Sequence, residues 1–382
     1  MAATLDRIPT MIQGAGALGE IGAQAATLTG PGAAVLLVAD PGLQASGMVD
    51  EALAALRAAG LGAVLFADVK SDPTHAQVDA GAALAREAGA RAVVALGGGS
   101  AMDAGKLIAA VAGSAAPAMT YALCAAPLPA GALPVICVPT TSGTGSETTR
   151  VAIVSGPDGS KQWFWGDELK AARIVLDPAL TVGLPPHLTA ATGVDALVHA
   201  IEASTNHNRS AANDVYAHAA IRLAAGNLER AVTHPGDLEA RAAMQLAAAF
   251  GGVAIDNAGT AIGHTIGHAL GSLRPIHHGR AVGCAMVATL AWNVQGDDGP
   301  FAAVAAAMGE AADAARVPVA FERLMRATGV AISLARDCEG VSPAMLAAQM
   351  RRPENEAMRR SNRRPVKDAD IDAFAATVLS QS

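Results

Sequence analysis

The chain has 382 residues, enough for two domains of ordinary size. Its net charge is −7 and its pI is about 5.8, values that argue against nucleic acid as the main partner. The mean hydropathy is +0.33, yet no stretch approaches 18 consecutive apolar residues, so we expect no membrane span. The four cysteines lie far apart, and the first residues lack the pattern of a signal peptide. We therefore expect free thiols and a cytoplasmic protein.

The first half of the chain alternates predicted strands with predicted helices. The strands are predicted over Ala33–Asp40, Gly62–Phe66, Arg91–Leu96 and Pro134–Val138, and the helices over Ser46–Gly60 and His75–Ala88. Short, continuous apolar runs are typical of parallel strands that are buried on both faces. The alternation predicts an α/β domain with a doubly wound parallel sheet.

The second half differs in its residue pattern. After Asp177 it shows long alanine-rich helical periodicity, few β-branched runs, and glycines at the expected helix ends. We place the boundary at Leu184–Pro186. The sequence thus predicts an α/β domain over residues 1–184 and an all-α domain over residues 185–382.

A glycine-rich loop, Gly97–Ser100, directly follows the strand predicted at Arg91–Leu96. Because glycine has no Cβ, the backbone N–H groups of such a loop can close around a phosphate. Ser100 and Asp103 have the spacing of a capping box, which predicts a helix start whose N–H groups favour an anion. A Walker A loop is excluded, since it would need glycine in place of Ser100 and a hydroxyl in place of Leu107. The loop therefore predicts phosphate binding outside the P-loop NTPase class.

A second, hydroxyl-rich loop spans Pro139–Glu147 and leaves the strand predicted at Pro134–Val138. Ligands of open α/β sheets bind at the carboxyl ends of strands, so both loops are expected to face one ligand. Asp40 ends another strand, where a carboxylate can accept from ribose hydroxyls and repel a 2′-phosphate. These features favour NAD over NADP. An alternative glycine loop is Gly14–Gly19, which satisfies G-x-G-x-x-G but follows only the short segment Thr10–Gln13.

Polar residues with helical spacing interrupt the apolar second half. Asp195 and His199 are four residues apart and so share one helix face, and His264 and His268 repeat that spacing. The pair His277-His278 follows shortly afterwards. Three imidazoles and one carboxylate suit Fe²⁺ or Zn²⁺ better than Mg²⁺ or Ca²⁺. The pattern is not that of a zinc protease, because no glutamate follows the first histidine of GHTIGH.

In this order, the motifs resemble those of the iron-containing (group III) alcohol dehydrogenase family, which has a dehydroquinate synthase-like fold. The motifs are GGGSAMDAGK, PTTSGTGSETT, GVDALVHAIEA, GHTIGHALG, HHG and the stretch Asn362–Pro365, which is similar to the family's N-P-R-P. The resemblance covers nearly the whole chain. It implies an α/β nucleotide-binding domain, a helical metal-binding domain and a site in the cleft between them. It also places the pyrophosphate on the later glycine loop rather than on Gly14–Gly19.

The resemblance implies a role for each matching residue. The implied metal ligands are Asp195, His199, His264 and His278, with His277 left open as the alternative to its neighbour. The implied nucleotide contacts are Asp40, Gly98, Gly99, Ser100, Asp103, Thr140, Thr141, Thr144 and Lys161. His268 matches the position that the family associates with proton transfer. The implied cofactors are NAD and one divalent metal ion, which is iron by resemblance, although these donors alone do not separate iron from zinc.

The activity implied is hydride transfer between a small alcohol or aldehyde and NAD in a homodimer, with the metal acting as a Lewis acid on the substrate oxygen. Alternatives on the same scaffold are a hydroxyacid–oxoacid transhydrogenase and a maleylacetate reductase, and retention of Asp103 and all four ligand positions weighs against the latter. A dehydroquinate synthase-like lyase would need a basic cluster, for which the nearby sequence offers only Arg274 and Arg280. A non-enzymatic sensor would predict a lost ligand or a broken glycine loop, and the sequence has neither.

Overall fold

The computed structural model describes residues 4–381 of the chain. Its strands are β1 Thr10–Gln13, β2 Ala34–Ala39, β3 Gly62–Phe66, β4 Ala90–Gly97, β5 Val135–Pro139, β6 Val151–Ser155, β7 Lys161–Trp165 and β8 Arg173–Leu176. Its α-helices are α1 Ile21–Thr29, α2 Met48–Ala58, α3 His75–Glu87, α4 Gly99–Val111, α5 Pro186–Thr205, α6 Ala211–Thr233, α7 Leu238–Ala258, α8 Ile262–Leu273, α9 His278–Asn293, α10 Pro300–Ala307, α11 Arg316–Ala327, α12 Pro343–Met350, α13 Glu356–Ser361 and α14 Asp368–Ser380.

The contacts divide the chain into two compact units. The α/β unit comprises residues 7–141 and 146–182, and the helical unit comprises residues 4–6, 142–145 and 183–381. Within the helical unit, Gly143 lies against Thr192, and Gly145, which has a φ of +64°, lies against Gly252. The two-domain boundary that we placed at Leu184–Pro186 stays a prediction.

The α/β unit is built on a six-stranded parallel sheet with the order β1-β8-β5-β4-β2-β3. Its central strands are short runs rich in Val, Leu, Ile and Ala, and they are buried except near the start of β2 and β4, as parallel strands covered on both faces must be. Helix α4 packs closely on the sheet because Gly105 has no Cβ, which would lie only 2.6 Å from the Cβ of Ala95. The predicted doubly wound sheet is therefore confirmed, and the strand predicted at Gly62–Phe66 has those same bounds.

The strand order reverses between β2 and β4, since the chain continues from β2 to β3 on one side and from β4 to β5 on the other. Open α/β sheets bind their ligands outside the carboxyl ends of the strands at such a switch point. Asp40 directly follows β2, and the triple glycine begins at the end of β4. The sheet therefore brings these two sequence features to the same position.

The alternative loop Gly14–Gly19 lies elsewhere on the sheet. It follows the edge strand β1, and β8, β5 and β4 separate that strand from β2. At a strand spacing of about 4.8 Å, the loop is roughly 19 Å from the strand that ends at Asp40. The backbone N–H of Leu18 also donates to the carboxylate of Asp177 at 3.1 Å, so a phosphate there would meet a negative charge. A Rossmann-type use of this loop with Asp40 is thereby excluded.

An antiparallel hairpin of β6 and β7 is inserted between β5 and β8. Our sequence analysis did not predict this hairpin or strand β8. Strand β6 has the alternating burial of a strand with one covered face, and β7 holds Trp163 and Trp165.

The helical unit is organised around α5, which is buried along nearly its whole length and packs against α6, α7 and α9. A second cluster joins α8, α9, α12 and α14. The prediction of a helical second half is thus confirmed. Among residues 4–381, no helix is long and apolar enough to cross a bilayer.

Candidate metal centre and nucleotide site

The four predicted metal ligands converge in the helical unit. Asp195 and His199 project from α5, His264 from α8 and His278 from the first turn of α9. The Nε2 atoms of His199, His264 and His278 lie 3.9, 3.7 and 3.5 Å from Oδ1 of Asp195. All four candidate ligand atoms lie within 4.8 Å of one another.

This arrangement fits a divalent cation on two counts. Ligand atoms about 2.0–2.1 Å from a tetrahedral metal are about 3.4 Å apart, close to the distances between Asp195 and the three imidazoles. In addition, Oδ1 of Asp195 and Nε2 of His264 are buried and have no hydrogen-bond partner among the described residues. Buried polar atoms without partners are costly, so two that face each other require a common ligand.

The electrostatics of the cluster favour metal binding. Burial alone would raise the pKa of Asp195, but the imidazoles of His199, His278 and His264 together lower it. Burial lowers the pKa of His199, and burial together with the neighbouring imidazoles holds the pKa of His264 well below its usual value. The site therefore favours an ionised Asp195 and neutral imidazoles at His199 and His264, which are the protonation states that coordinate a metal.

Glycine allows α9 to approach α5 closely enough for this convergence. A Cβ on Gly279 would lie 2.0 Å from the carbonyl oxygen of Ala191 and 3.1 Å from the Cβ of Asp195. No side chain fits in that space, so only glycine permits the contact. The residue before it, His278, is thereby held at the centre.

Two further histidines of the sequence motifs, His277 and His268, lie beside the predicted ligands. His277 precedes α9 with an exposed side chain and is not part of the cluster of candidate ligand atoms, whereas His278 is. The half-buried ring of His268 lies 5.3 Å from that of His278 and 6.1 Å from that of His264, centroid to centroid. His268 thus borders the predicted ligands.

Glu202 is a buried residue of the centre that the sequence analysis missed. Its Oε2 lies 2.6 Å from Nδ1 of His264, and its two oxygens accept from the backbone N–H groups of Ala261 and Gly263, each at 2.7 Å. Burial raises the pKa of Glu202 to about 7, and the two amide donors oppose that rise. Its sequence signal is weak but present, because it lies three residues after His199 in an otherwise apolar helix.

The triple glycine in the α/β unit leads directly into α4. A Cβ on Gly97, whose φ is +149°, would lie 2.7 Å from the Cβ of Ala101, and the helix then begins at Gly99. The predicted capping box of Ser100 and Asp103 is wrong, because Gly98 is the N-cap and no described side chain caps the helix. The first N–H groups of a 13-residue helix are therefore left for a ligand, which suits the pyrophosphate of a dinucleotide.

The predicted contacts on the neighbouring strands adjoin this loop. The N–H of Thr140 donates to the carbonyl oxygen of Gly97 at 3.0 Å, and a Cβ on Gly98 would lie 3.5 Å from the side chain of Thr141. Asp40 also adjoins the loop, since a Cβ on Gly97 would lie 3.6 Å from the Cβ of Asp40. The structure therefore brings Asp40, both threonines and the glycines together at the switch point. Thr144 belongs to the short segment 142–145 of the helical unit.

Asp103 is engaged by protein groups. One carboxylate oxygen accepts from the hydroxyl of Ser146, and the other accepts from the N–H of Ile153 at 3.0 Å. Next to it, the fully buried Nζ of Lys106 donates to the carbonyl oxygens of Ser146 at 2.8 Å, Thr149 at 3.3 Å and Val151 at 2.5 Å. These contacts hold the end of the hydroxyl-rich loop and the chain that follows it into β6, so the predicted nucleotide contact at Asp103 would act through the shape of that loop.

Lys161 lies on the hairpin and forms an ion pair with Asp72. The backbone N–H of Asp72, whose φ is +58°, donates to the hydroxyl of Ser100 at 3.3 Å. The chain of contacts brings Lys161 near the start of α4. Its assignment as a nucleotide contact, like the other site roles, stays a prediction.

Comparison with known proteins now places the chain. The family described as iron-containing alcohol dehydrogenase matches residues 9–178, and the C-terminal domain of the Fe-containing alcohol dehydrogenase family matches residues 189–378. The chain therefore belongs to the iron-containing alcohol dehydrogenase family. The family and fold predicted from the motifs are both confirmed.

Individual relatives are similar over most of their length. A choline dehydrogenase of Bacillus subtilis is 36% identical over 306 residues, covering 79% of this chain and 76% of the relative. An NAD-dependent methanol dehydrogenase of Bacillus methanolicus is 33% identical, covering 84% and 86%. The crystal structure of sulfoacetaldehyde reductase from Bifidobacterium kashiwanohense in complex with NAD⁺ covers both chains fully, with a TM-score of 0.92 and 27% identity.

Proposed function

We propose that the protein is an NAD-linked, metal-dependent alcohol dehydrogenase that interconverts a small alcohol and its carbonyl compound. The observation that carries the proposal is the convergence of one carboxylate and three imidazoles in the helical unit, with their candidate ligand atoms all within 4.8 Å of one another. Family membership and relatives named as NAD-dependent methanol dehydrogenase and 1,3-propanediol dehydrogenase support the same reaction. We propose iron as the native metal, following the family.

When bound, the cation would polarise the substrate oxygen, and NAD would exchange hydride with the substrate carbon. Asp195, His199, His264 and His278 would hold the cation. Gly98, Gly99 and Ser100, at the uncapped start of α4, would bind the pyrophosphate through backbone N–H groups. Thr140, Thr141, Thr144 and Lys161 would complete the nucleotide contacts.

His268 would receive the alcohol proton and pass it to solvent. Its ring is half-buried beside the rings of His264 and His278, so it borders both the centre and the exterior. Imidazole is the side chain whose ordinary pKa lies nearest neutrality, which suits proton transfer. A His268→Ala variant should have a lower kcat than wild type and a different dependence of kcat on pH. An unchanged kcat and an unchanged pH dependence would show that His268 has no part in the mechanism.

Asp40 would select NAD over NADP. Its carboxylate ends β2 beside the glycine loop, where it would accept from a ribose hydroxyl and repel a 2′-phosphate. An Asp40→Gly variant should therefore have a lower ratio of kcat/KM with NAD to kcat/KM with NADP than wild type has. An unchanged ratio would show that Asp40 has no part in the choice of cofactor.

The decisive test combines metal analysis with turnover. Protein purified without chelator should contain one iron or zinc ion per chain and should release free NADH when supplied with NAD and primary alcohols, diols or hydroxyacids. Asp195→Asn should lose both properties, whereas Asp214→Asn, a buried control that pairs with Arg209, should keep them. Turnover without free NADH would instead favour the transhydrogenase, and wild-type protein without metal would refute the proposal.

We also propose that the enzyme is a cytoplasmic homodimer. The four cysteines are free thiols, as expected in a reducing compartment. Dimerisation follows from the family resemblance alone, and light scattering of the purified protein tests it.

A further inference from the structure

Glu202 connects the candidate metal centre to the start of α8. Glu202 is 3% exposed, and its carboxylate accepts from the N–H groups of Ala261 and Gly263, which are the N-cap and the second residue of that helix. A carboxylate at a helix N-terminus is stabilised by these free N–H groups and by the helix dipole. The position of the Glu202 carboxylate is therefore fixed from two sides, by α5 through its own backbone and by α8 through the amides.

The same carboxylate contacts one of the two ring nitrogens of His264. Nδ1 lies 2.6 Å from Oε2 of Glu202, whereas Nε2 faces Asp195 at 3.7 Å and has no hydrogen-bond partner among the described residues. A neutral imidazole carries its proton on one nitrogen only. A proton held on Nδ1 by Glu202 leaves the lone pair of Nε2 directed toward Asp195.

We propose that Glu202 is a positioning residue that holds the proton of His264 on Nδ1 and thereby presents Nε2 as a metal ligand. A carboxylate that accepts the second N–H of a ligating histidine fixes the tautomer and ring orientation and makes the ligand more basic. The inference rests on the proposed function for the presence of a metal and adds a residue that does not itself coordinate it.

Close packing leaves the carboxylate little freedom to turn away. A Cβ on Gly263 would lie 2.8 Å from Oε1 of Glu202 and 2.9 Å from the sulfur of Met286, so glycine is needed for the carboxylate to reach the amides. The rings of His264 and His199 are also stacked at 4.6 Å, with planes 21° apart. The ring of His264 is thus held by a hydrogen bond at one edge and by a neighbouring ring on one face.

The test compares Glu202→Gln with wild type in metal-free protein titrated with Co²⁺ alone. Glutamine keeps the size of the side chain but has a single acceptor oxygen for two amides and Nδ1. We expect Co²⁺ affinity to fall about 10- to 100-fold. Long-range ¹H–¹⁵N spectra should show the His264 proton on Nδ1 in wild type and lost from it in part of the variant. Ser204→Ala is the control, because among the described residues that buried hydroxyl on the same helix bonds only to carbonyls of α5.

The outcomes separate the inference from the proposed function. Wild-type protein that binds no Co²⁺ would refute the metal centre itself. Wild type and Glu202→Gln that bind equally, or a wild-type His264 without a proton on Nδ1, would overturn the role of Glu202 alone. If Glu202→Gln does not fold, Glu202→Asp keeps a carboxylate but withdraws it from Nδ1 by one methylene group, and Co²⁺ affinity within tenfold of wild type would then overturn the inference.

Discussion

Glu147 offers a test of the electrostatics of the α/β unit that is independent of metal and nucleotide. The side chain is 2% exposed in the hydroxyl-rich loop, and burial raises its pKa from 4.5 to about 7, although Lys106 partly opposes the rise. Folding therefore favours the protonated acid, whereas the unfolded chain ionises at the ordinary value. Glu147→Gln replaces the carboxyl by a neutral amide of the same shape and removes this difference.

The sign follows from proton linkage. Between pH 4.5 and pH 7 the folded protein holds a proton on Glu147 that the unfolded chain has released, so the free energy of unfolding falls as the pH rises. Each pH unit corresponds to about 1.4 kcal/mol, so the whole interval amounts to about 3 kcal/mol. Above pH 7 the loss is complete. The free energy of unfolding of Glu147→Gln, relative to that of wild type, should therefore rise by about 3 kcal/mol between acid and neutral pH. Above neutral pH this difference should stay constant.

Urea unfolding from pH 5 to pH 8, followed by tryptophan fluorescence, measures the effect. Trp163 and Trp165 lie in the α/β unit with Glu147, so the signal reports mainly on that unit. Other titrating groups, including Glu202, are the same in both proteins and cancel in the difference. The exposed Glu51→Gln is the control for replacing a carboxyl by an amide. A stability difference between Glu147→Gln and wild type that does not vary with pH would refute the reasoning.

Three further outcomes are expected from packing and coordination. Lys106→Met should lower the free energy of unfolding, measured by urea unfolding, by about 3–5 kcal/mol, because Asp103 and three carbonyl oxygens lose the cation that they contact. A decrease below about 1 kcal/mol would contradict a stabilising role for Lys106. His278→Ala should abolish tight Co²⁺ binding while His277→Ala leaves it intact, and the reverse pattern in the same titration would exchange the two assignments. Gly279→Ala should force α9 away from the carbonyl of Ala191 and lower both metal content and melting temperature, so normal metal content would show that the helices can adjust.

The fold could be predicted from the sequence because its signals are local. Runs such as Gly62–Phe66 are apolar, short and bounded by turns, and burial on both faces of a parallel sheet requires that composition. Which glycine loop lies beside Asp40 is not a local signal, because two such loops follow predicted strands. The family resemblance points to the later loop, and the strand order places that loop, rather than Gly14–Gly19, next to Asp40. A pattern along one strand carries no information about which strand lies beside it, so the strand residues alone could not make this choice.

The metal centre, too, could be predicted from the sequence only in part. The spacing from Asp195 to His199 fixes two donors on one helix face, but nothing local brings a second and third helix to them. Long-range packing does so, through glycines whose missing Cβ atoms admit a neighbouring backbone, as at Gly279. Glu202 escaped prediction for a related reason, since its partners are backbone groups at the start of a helix, 59 and 61 residues further along the chain.

The residues that the sequence predicted and those that it missed therefore differ in kind. Histidines and an aspartate that recur together in apolar helices indicate chemistry as a set, because burying several polar groups without a shared partner is costly. A glycine such as Gly263 can have many structural roles, and so can a carboxylate such as Glu202 that only supports a ligand. The residues next to it in the sequence do not show which role it has. Mutations at Gly263, Gly279 and Glu202 should accordingly damage the metal centre without touching any atom that binds the metal.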